Sequence, residues 1–227
     1  MSGRRVRLCS GHRMDCTGRT DSSRRKAHGC YGSVGFVTLA GDQAAVSADG
    51  RGWRAVTLPV NAQWEAICYG GGRYIAVASQ PSAIAVSEDG RAWRAVDAPD
   101  APWSAVCFGN GRFAAVAAAS EGSARAAYSL DGLAWRETSM PHPAQWTAIQ
   151  HGPAGFIALT QDGAQGAESS DGIVWQSMTV PDGQGFCALE SVNGLLLALP
   201  ANSAASMMTS ADGKNWRSVA LPETAQW

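Results

Sequence analysis

The sequence predicts an all-β protein, a β-propeller of about five four-stranded antiparallel blades with a repeat of about 41 residues. Three observations support this fold class: a motif that recurs in phase, a second series of aromatic residues in the same phase, and a composition rich in turn formers and poor in charge. The motif is Ser-x-Asp-Gly-x-x-Trp, and successive copies lie 40 to 42 residues apart. Its five copies occupy residues 47–53, 87–93, 129–135, 169–175 and 210–216.

One repeat divides into four short runs of strand-forming residues. Between residues 64 and 99 these runs are WEAICYG, RYIAVAS, AIAVS and AWRAVDAP. Each run is bounded by Gly, Pro, Asp or Ser, which is typical of antiparallel strands joined by tight turns. Four such strands need about 40 residues, the length of one propeller blade.

The second series of aromatic residues follows each motif Trp by 10 or 11 residues. Its members are Trp64, Trp103, Trp146, Phe186 and Trp227. We expect these side chains to open the next blade and to pack blade against blade, together with aromatic residues of the second strands.

The first repeat is irregular, because Lys26 stands where Trp64 stands in the second. Two possibilities follow for closure of the ring. Either five blades close with an imperfect seam, which we favour, or the chain is part of a longer propeller.

The composition agrees with an all-β fold. The 227 residues include 26 Gly, 10 Pro and 9 Trp, and only 16% are charged. No apolar run approaches the 18 or so residues that span a membrane, and the start of the chain lacks the apolar stretch of a secretory signal. We therefore expect a cytoplasmic or virion-associated protein.

Charge divides the chain into two parts. Residues 1–26 carry a net charge of +6 and residues 27–227 a net charge of −7. The sequence therefore predicts a basic, disordered N-terminal arm at 1–26 and a propeller at 27–227. Nucleic acid is expected as a partner only through this arm.

The residue types of the motif are those of a tight turn between the third and fourth strands. Its Gly can adopt a positive φ, its Asp can accept backbone N–H groups, and its Trp can cover the turn. We therefore expect a structural role, not ligand binding, for the motif Asp and Trp residues. These are Asp49, Asp89, Asp131, Asp171, Asp212, Trp53, Trp93, Trp135, Trp175 and Trp216.

The motif resembles the Asp-box, or BNR repeat, of sialidase-like β-propellers, over about residues 27–227. The resemblance implies a structural hairpin on the outer part of each blade, away from the central site, and we expect a non-enzymatic member. The WD40 family is disfavoured because no Trp of the chain is followed by Asp. The kelch family is disfavoured because its Gly doublet would occur only once.

Candidate site residues are those that break the repeat. Gln150 and Glu190 replace Cys30, Cys68 and Cys107 on the first strand, and His151 replaces an aromatic residue. Because first strands line the channel of a propeller, Gln150, His151 and Glu190 are predicted to form a polar mouth there.

The sialidase resemblance also implies an alternative, a glycoside hydrolase with a Tyr activated by a Glu. Tyr128, with Glu168 or Glu190, offers the candidates for such a catalytic group. The chain lacks the Arg-Ile-Pro segment that sialidases carry near the N-terminus, so no catalytic residue is expected.

The sequence thus favours a non-catalytic module that binds a protein or a glycan, or that serves as a structural part of a bacterial or phage surface or virion. The variable loops between second and third strands favour a binding role, because binding residues are often found on loops that a rigid scaffold positions. No metal or cofactor is predicted. A metal site at Cys9 and Cys16 has weak support, because the two residues lack a partner pair. The oligomeric state is left open.

Overall fold

The computed structural model describes residues 12–14, 27–119, 121–162, 165–180, 185–200 and 206–221. They form five antiparallel sheets arranged as a five-bladed β-propeller, which confirms the predicted fold class. Blades 2 to 5 each contain four strands in chain order, and blade 1 contains the same four with a short additional strand at its inner edge; the described residues contain no helix. In particular, this part of the chain has no helix with the length and hydrophobicity needed to cross a membrane.

Within each blade, the strands follow one another in chain order from the channel outward. Blade 1 consists of β1 (His12–Met14), β2 (Ala27–Gly32), β3 (Gly35–Ala40), β4 (Gln43–Ser47) and β5 (Arg54–Val56). Blade 2 consists of β6 (Gln63–Gly70), β7 (Arg73–Gln80), β8 (Ser82–Ser87) and β9 (Arg94–Val96). Blade 3 consists of β10 (Trp103–Gly109), β11 (Arg112–Ala117), β12 (Ser123–Ser129) and β13 (Arg136–Ala144). Blade 4 consists of β14 (Trp146–Gly152), β15 (Gly155–Thr160), β16 (Gly166–Ser169) and β17 (Gln176–Met178). Blade 5 consists of β18 (Phe186–Val192), β19 (Leu195–Pro200), β20 (Ser206–Ser210) and β21 (Arg217–Ala220).

The core lies between the blades. The described residues form four hydrophobic clusters, one between each pair of consecutive blades from blade 1 to blade 5. Each cluster contains the aromatic residue that opens the following blade. These residues are Trp64, Trp103, Trp146 and Phe186, each no more than 2% exposed. Their burial confirms that the second aromatic series packs blade against blade; Trp227 lies outside the described residues.

Each copy of the motif forms a hydrogen-bonded turn between the third and fourth strands. The Asp carboxylate accepts the backbone N–H groups of the residues two and three positions later, at 2.7–3.1 Å. The Ser hydroxyl donates to the same carboxylate at 3.0–3.3 Å. The motif Gly has a φ between +65° and +76°, which a residue without Cβ adopts at little cost.

The backbone N–H groups of the turn also change the pKa of the motif Asp. Because backbone N–H groups stabilise the ionised carboxylate, they lower the pKa of all five Asp side chains. In four copies the Trp indole N–H donates to the carbonyl oxygen of the motif Gly, at 3.0–3.2 Å. The Asp carboxylate and the Trp indole therefore both form hydrogen bonds to the backbone of the same turn.

The N-terminal arm is described only in part. The three residues of β1 pair antiparallel with β2, at the edge that faces the channel, and β1 also lies against β18. Residues 1–11 and 15–26, with Cys9 and Cys16, lie outside the described residues. The predicted division of the chain at residue 26 stays a prediction.

Candidate binding site in the central channel

One central cavity is lined by β2 of blade 1 and by the innermost strands of blades 2 to 5. β2, β6, β10, β14 and β18 enclose a volume of about 160 Å³. The pairing of first and second strands aligns one residue of each blade around this cavity. The five aligned residues are Cys30, Cys68, Cys107, Gln150 and Glu190.

Three thiols form one side of this ring. Cys30, Cys68 and Cys107 are buried and free, and burial raises the pKa of each thiol well above its usual value. They are therefore uncharged and behave as small apolar side chains. Among the described residues, no three or more His, Cys, Asp or Glu side chains are arranged to hold a metal ion.

The other side of the ring is polar. Gln150 is buried, and its side-chain oxygen accepts the backbone N–H of His151 at 3.1 Å. Glu190, on the neighbouring blade, is only partly buried. Both side chains line the cavity, so the structure brings together two of the three residues predicted to form the polar mouth.

His28 is a further lining residue that sequence reasoning missed. It is buried and lies beside the cavity on blade 1. Strand pairing aligns it with alanine in every other blade, at positions 66, 105, 148 and 188. The signal was present in the sequence, but the irregular first repeat concealed the alignment.

His151 does not line the cavity, and its ring packs against its neighbours as an aromatic ring would. A Cβ on Gly109 would collide with its ring, just as a Cβ on Gly70 would collide with Phe108 of blade 3. The His151 ring meets Phe156 edge to face, with 4.9 Å between centroids. Burial lowers the pKa of His151, so the neutral ring is favoured. Its role in binding stays a prediction.

The residues named for the hydrolase alternative lie on three different blades of the propeller. Tyr128 is on the third strand of blade 3, and Glu168 is on the third strand of blade 4. Glu168 forms an ion pair with Lys214 of blade 5, with 3.7 Å between Oε1 and Nζ. Of these candidates only Glu190 lines the central cavity.

No protein-family model matches the chain, and no similar sequence was found among curated proteins. Solved structures of other propellers do match. Virginiamycin B lyase from Staphylococcus aureus superimposes with a TM-score of 0.73 at 11% identity, over 87% of this chain and 71% of the lyase. YCF48 bound to D1 peptide has a TM-score of 0.58 at 13% identity, over 94% of this chain and 67% of that one.

A chain from a nidogen–laminin complex gives a TM-score of 0.57 at 11% identity, over 81% of this chain and 70% of the other. Identities this low establish the fold alone. The class of protein is thus a five-bladed β-propeller. Structures that match this propeller include one solved with a peptide and one from a protein complex. The matches do not identify an Asp-box or sialidase-like family, so that resemblance stays a prediction.

Proposed function

We propose that this protein is a non-catalytic binding module whose channel receives part of a protein partner. One observation carries the proposal: two polar residues, Gln150 and Glu190, replace thiols on one side of the central cavity. Ligand sites are commonly concave and apolar, with a few polar groups that fix orientation.

The size of the cavity favours a small group. An apolar cavity of about 150 Å³ holds a molecule the size of benzene. The channel, at about 160 Å³, therefore has room for a single side chain and too little for an oligosaccharide. An amide and a carboxylate beside thiols and aliphatic groups suit a side chain with an apolar stem and an N–H donor at its tip.

A peptide is accordingly the first ligand class to test. The structural similarity to YCF48 bound to D1 peptide is a further reason to test peptides, although it is a similarity of fold alone. A glycan held by the outer loops is the other binding hypothesis. A role at a bacterial or phage surface or in a virion belongs to this same proposal, because such assemblies use binding and structural modules of this kind.

The proposal is tested by selecting a displayed library of random peptides on the wild-type protein. Selected peptides should bind the Gln150→Ala/Glu190→Ala double variant at least about tenfold more weakly. The control is Glu88→Gln, which alters a carboxylate that is paired with Arg73 and does not line the cavity. Equal binding to wild type and the double variant would place the site elsewhere. No peptide enrichment, together with binding on a glycan array, would favour the glycan hypothesis instead.

A further inference from the structure

The strand β2 of blade 1 differs from the other channel strands at the residue before the aligned slot. Strand pairing places Gly29 in a register that carries a buried aliphatic side chain in every other blade. These aliphatic residues are Ile67, Val106, Ile149 and Leu189. The three nearest atoms that a Cβ on Gly29 would meet belong to Val37 and Thr38 of its own blade. Blade 1 therefore has an open space where the other blades have a side chain.

This space faces Glu190 of blade 5. The aliphatic residues of the same register pack in the cluster shared with the preceding blade; Ile67, for example, lies in the cluster between blades 1 and 2. Because the blades form a ring, blade 5 precedes blade 1, so the Gly29 register faces blade 5. Residues of the slot face the following blade, as the thiols do that lie in these clusters, Cys30, Cys68 and Cys107. In that register, Glu190 faces blade 1.

Tyr31 lies beside the same space. In blades 2 to 4 the residue at its position covers a Gly of the preceding blade, and these residues are Tyr69, Phe108 and His151. Blade 5 has Val192 at the place of that Gly, and Tyr31 is 43% exposed. Tyr31 and Glu190 both line the central cavity. An aromatic ring beside a carboxylate suits a cation, through cation–π attraction and ion pairing. We call the space bounded by Gly29, Tyr31 and Glu190 the notch.

The short strand β1 lies along the notch. It pairs antiparallel with β2, with His12 opposite Gly29 and Arg13 opposite His28. It also contacts β18, the strand that carries Glu190. Among the described residues, the innermost strands of blades 2 to 5 have no additional strand of this kind. The backbone groups at the channel edge of β2 therefore accept an added strand, which is the way in which many extended peptides bind to sheets.

Charge complementarity indicates what kind of strand fits this edge. Residues 27–227 carry a net charge of −7, and the notch contains the carboxylate of Glu190. The sequence of β1 is His-Arg-Met, from a part of the chain with a net charge of +6. A basic segment is therefore the natural occupant. Because β1 has only three residues, it offers few backbone hydrogen bonds, and a longer basic strand from a partner would have more to gain at the same edge.

We propose that the channel edge of β2 and the notch form a docking site for an extended basic segment of the protein partner, and that β1 occupies this site in the unbound chain. The segment adds to β2 as a strand, and one of its Arg or Lys side chains enters the notch between Tyr31 and Glu190. This inference rests on the proposed function of the channel as a binding site. β1 then acts as a competitor within the chain, and it lowers the apparent affinity for the partner by the fraction of molecules in which the site is open.

The first experiment selects peptides on the full-length wild type and on the His12→Pro/Arg13→Pro variant, and measures the Kd of each peptide for both proteins. Proline has no N–H group, so the variant loses the pairing of β1 with β2. If β1 is docked in about nine molecules of ten, the variant should bind basic peptides about tenfold more tightly. The matched control is His12→Gln/Arg13→Lys, which keeps both N–H groups and should bind as the wild type does.

The outcomes separate this inference from the proposed function. Equal Kd values for the wild type and the proline variant would overturn the inference alone, provided that Gln150→Ala/Glu190→Ala still weakens binding. Selected peptides without a preference for Arg or Lys would overturn it as well. No enriched peptide on either protein would overturn both the inference and the proposed function.

A synthetic peptide of residues 10–15 with blocked ends gives a readout that needs no selected ligand. It should bind the proline variant, protect the backbone amides of β2 from hydrogen exchange, and bind the wild type about tenfold more weakly. Gly29→Val, which fills the notch, and Glu190→Gln should each weaken this binding when added to the proline variant. The control Gly52→Ala, with open space around it, should leave the binding unchanged.

Two results of this second experiment would overturn the proposal. One is the absence of peptide binding to the proline variant. The other is a proline variant that fails to fold or whose Tm falls by more than about 10 °C, because β1 would then be a structural strand of the ring and not a competitor.

Discussion

Replacement of Trp103 by Ala is expected to remove a large part of the stability of the propeller. Trp103 is 0% exposed, lies in the cluster between blades 2 and 3, and donates its indole N–H to the carbonyl oxygen of Pro99 at 3.2 Å. Removing a buried Trp costs about 3–5 kcal/mol, through lost burial and the cavity left behind. A domain has only about 5–15 kcal/mol of stability in total.

This cost can be measured as a change in midpoint. A loss of 3–5 kcal/mol corresponds to a fall in Tm of about 6 to 20 °C for 150–250 residues, followed by circular dichroism or calorimetry. Trp53→Ala removes the same side chain from a site where 48% of it is already exposed, so about 1 kcal/mol is expected. If the two variants lost equal stability, the inference that the core lies between the blades would be refuted. If Trp103→Ala fails to fold, Trp103→Phe gives the smaller loss that keeps the comparison possible.

Three further predictions concern the turns, the channel and the aromatic packing. Asp89→Asn should cost stability at neutral pH, because backbone N–H groups lower the pKa of Asp89 in the folded state. That contribution is present above the unfolded pKa and is lost as pH falls through the lower folded pKa, so the difference in urea denaturation between wild type and variant should begin to shrink below about pH 4. The thiols of Cys30, Cys68 and Cys107 should resist a thiol reagent in the folded protein at neutral pH and react once it is unfolded in urea; rapid modification of these three residues in the folded protein, located by peptide mapping, would contradict their burial. Gly109→Ala should destabilise the protein, because the new Cβ collides with the His151 ring, whereas Gly52→Ala, with open space around it, should be neutral in the same melting assay.

The sequence was sufficient for the blade count because the motif marks a turn that every blade needs. The Asp and Gly of this turn act within a few residues of one another, so their pattern survives without knowledge of the rest of the fold. The second aromatic series was equally informative, since each member packs between the same two layers. Local chemistry and regular packing are the parts of a repeat protein that a period reveals.

The exposure of Trp53 could not be predicted in this way. The motif makes it equivalent to Trp216, but equivalence in sequence does not tell whether the facing surface is covered. The pairing of β1 with β2 was missed for a related reason, because the basic composition of residues 1–26 favours disorder. Both features depend on how the first and last blades of the ring meet, and the repeated sequence pattern contains no information about that contact.

His151 shows the opposite difficulty. A His in place of Tyr69 and Phe108 suggests a polar group at the channel, and only the structure reveals that its ring covers Gly109 as an aromatic ring would. His28 shows a true polar substitution for alanine at the cavity, in a repeat too irregular to align with assurance from the sequence. The sequence therefore predicted the position of the candidate site and two of its residues, Gln150 and Glu190. The structure removes His151 from the lining of the cavity and adds His28.

The polar residues of the aligned slot lie on blades 4 and 5, and desolvation explains why blades 1 to 3 have thiols there. In blades 1 to 3 the aligned slot belongs to a closely packed cluster, or lies beside one, where a charged side chain would lose its hydration. Small neutral thiols fit there. Glu190 lies on blade 5 and is only partly buried. A carboxylate at this place keeps some contact with water, so its desolvation costs less than it would at the buried thiol positions.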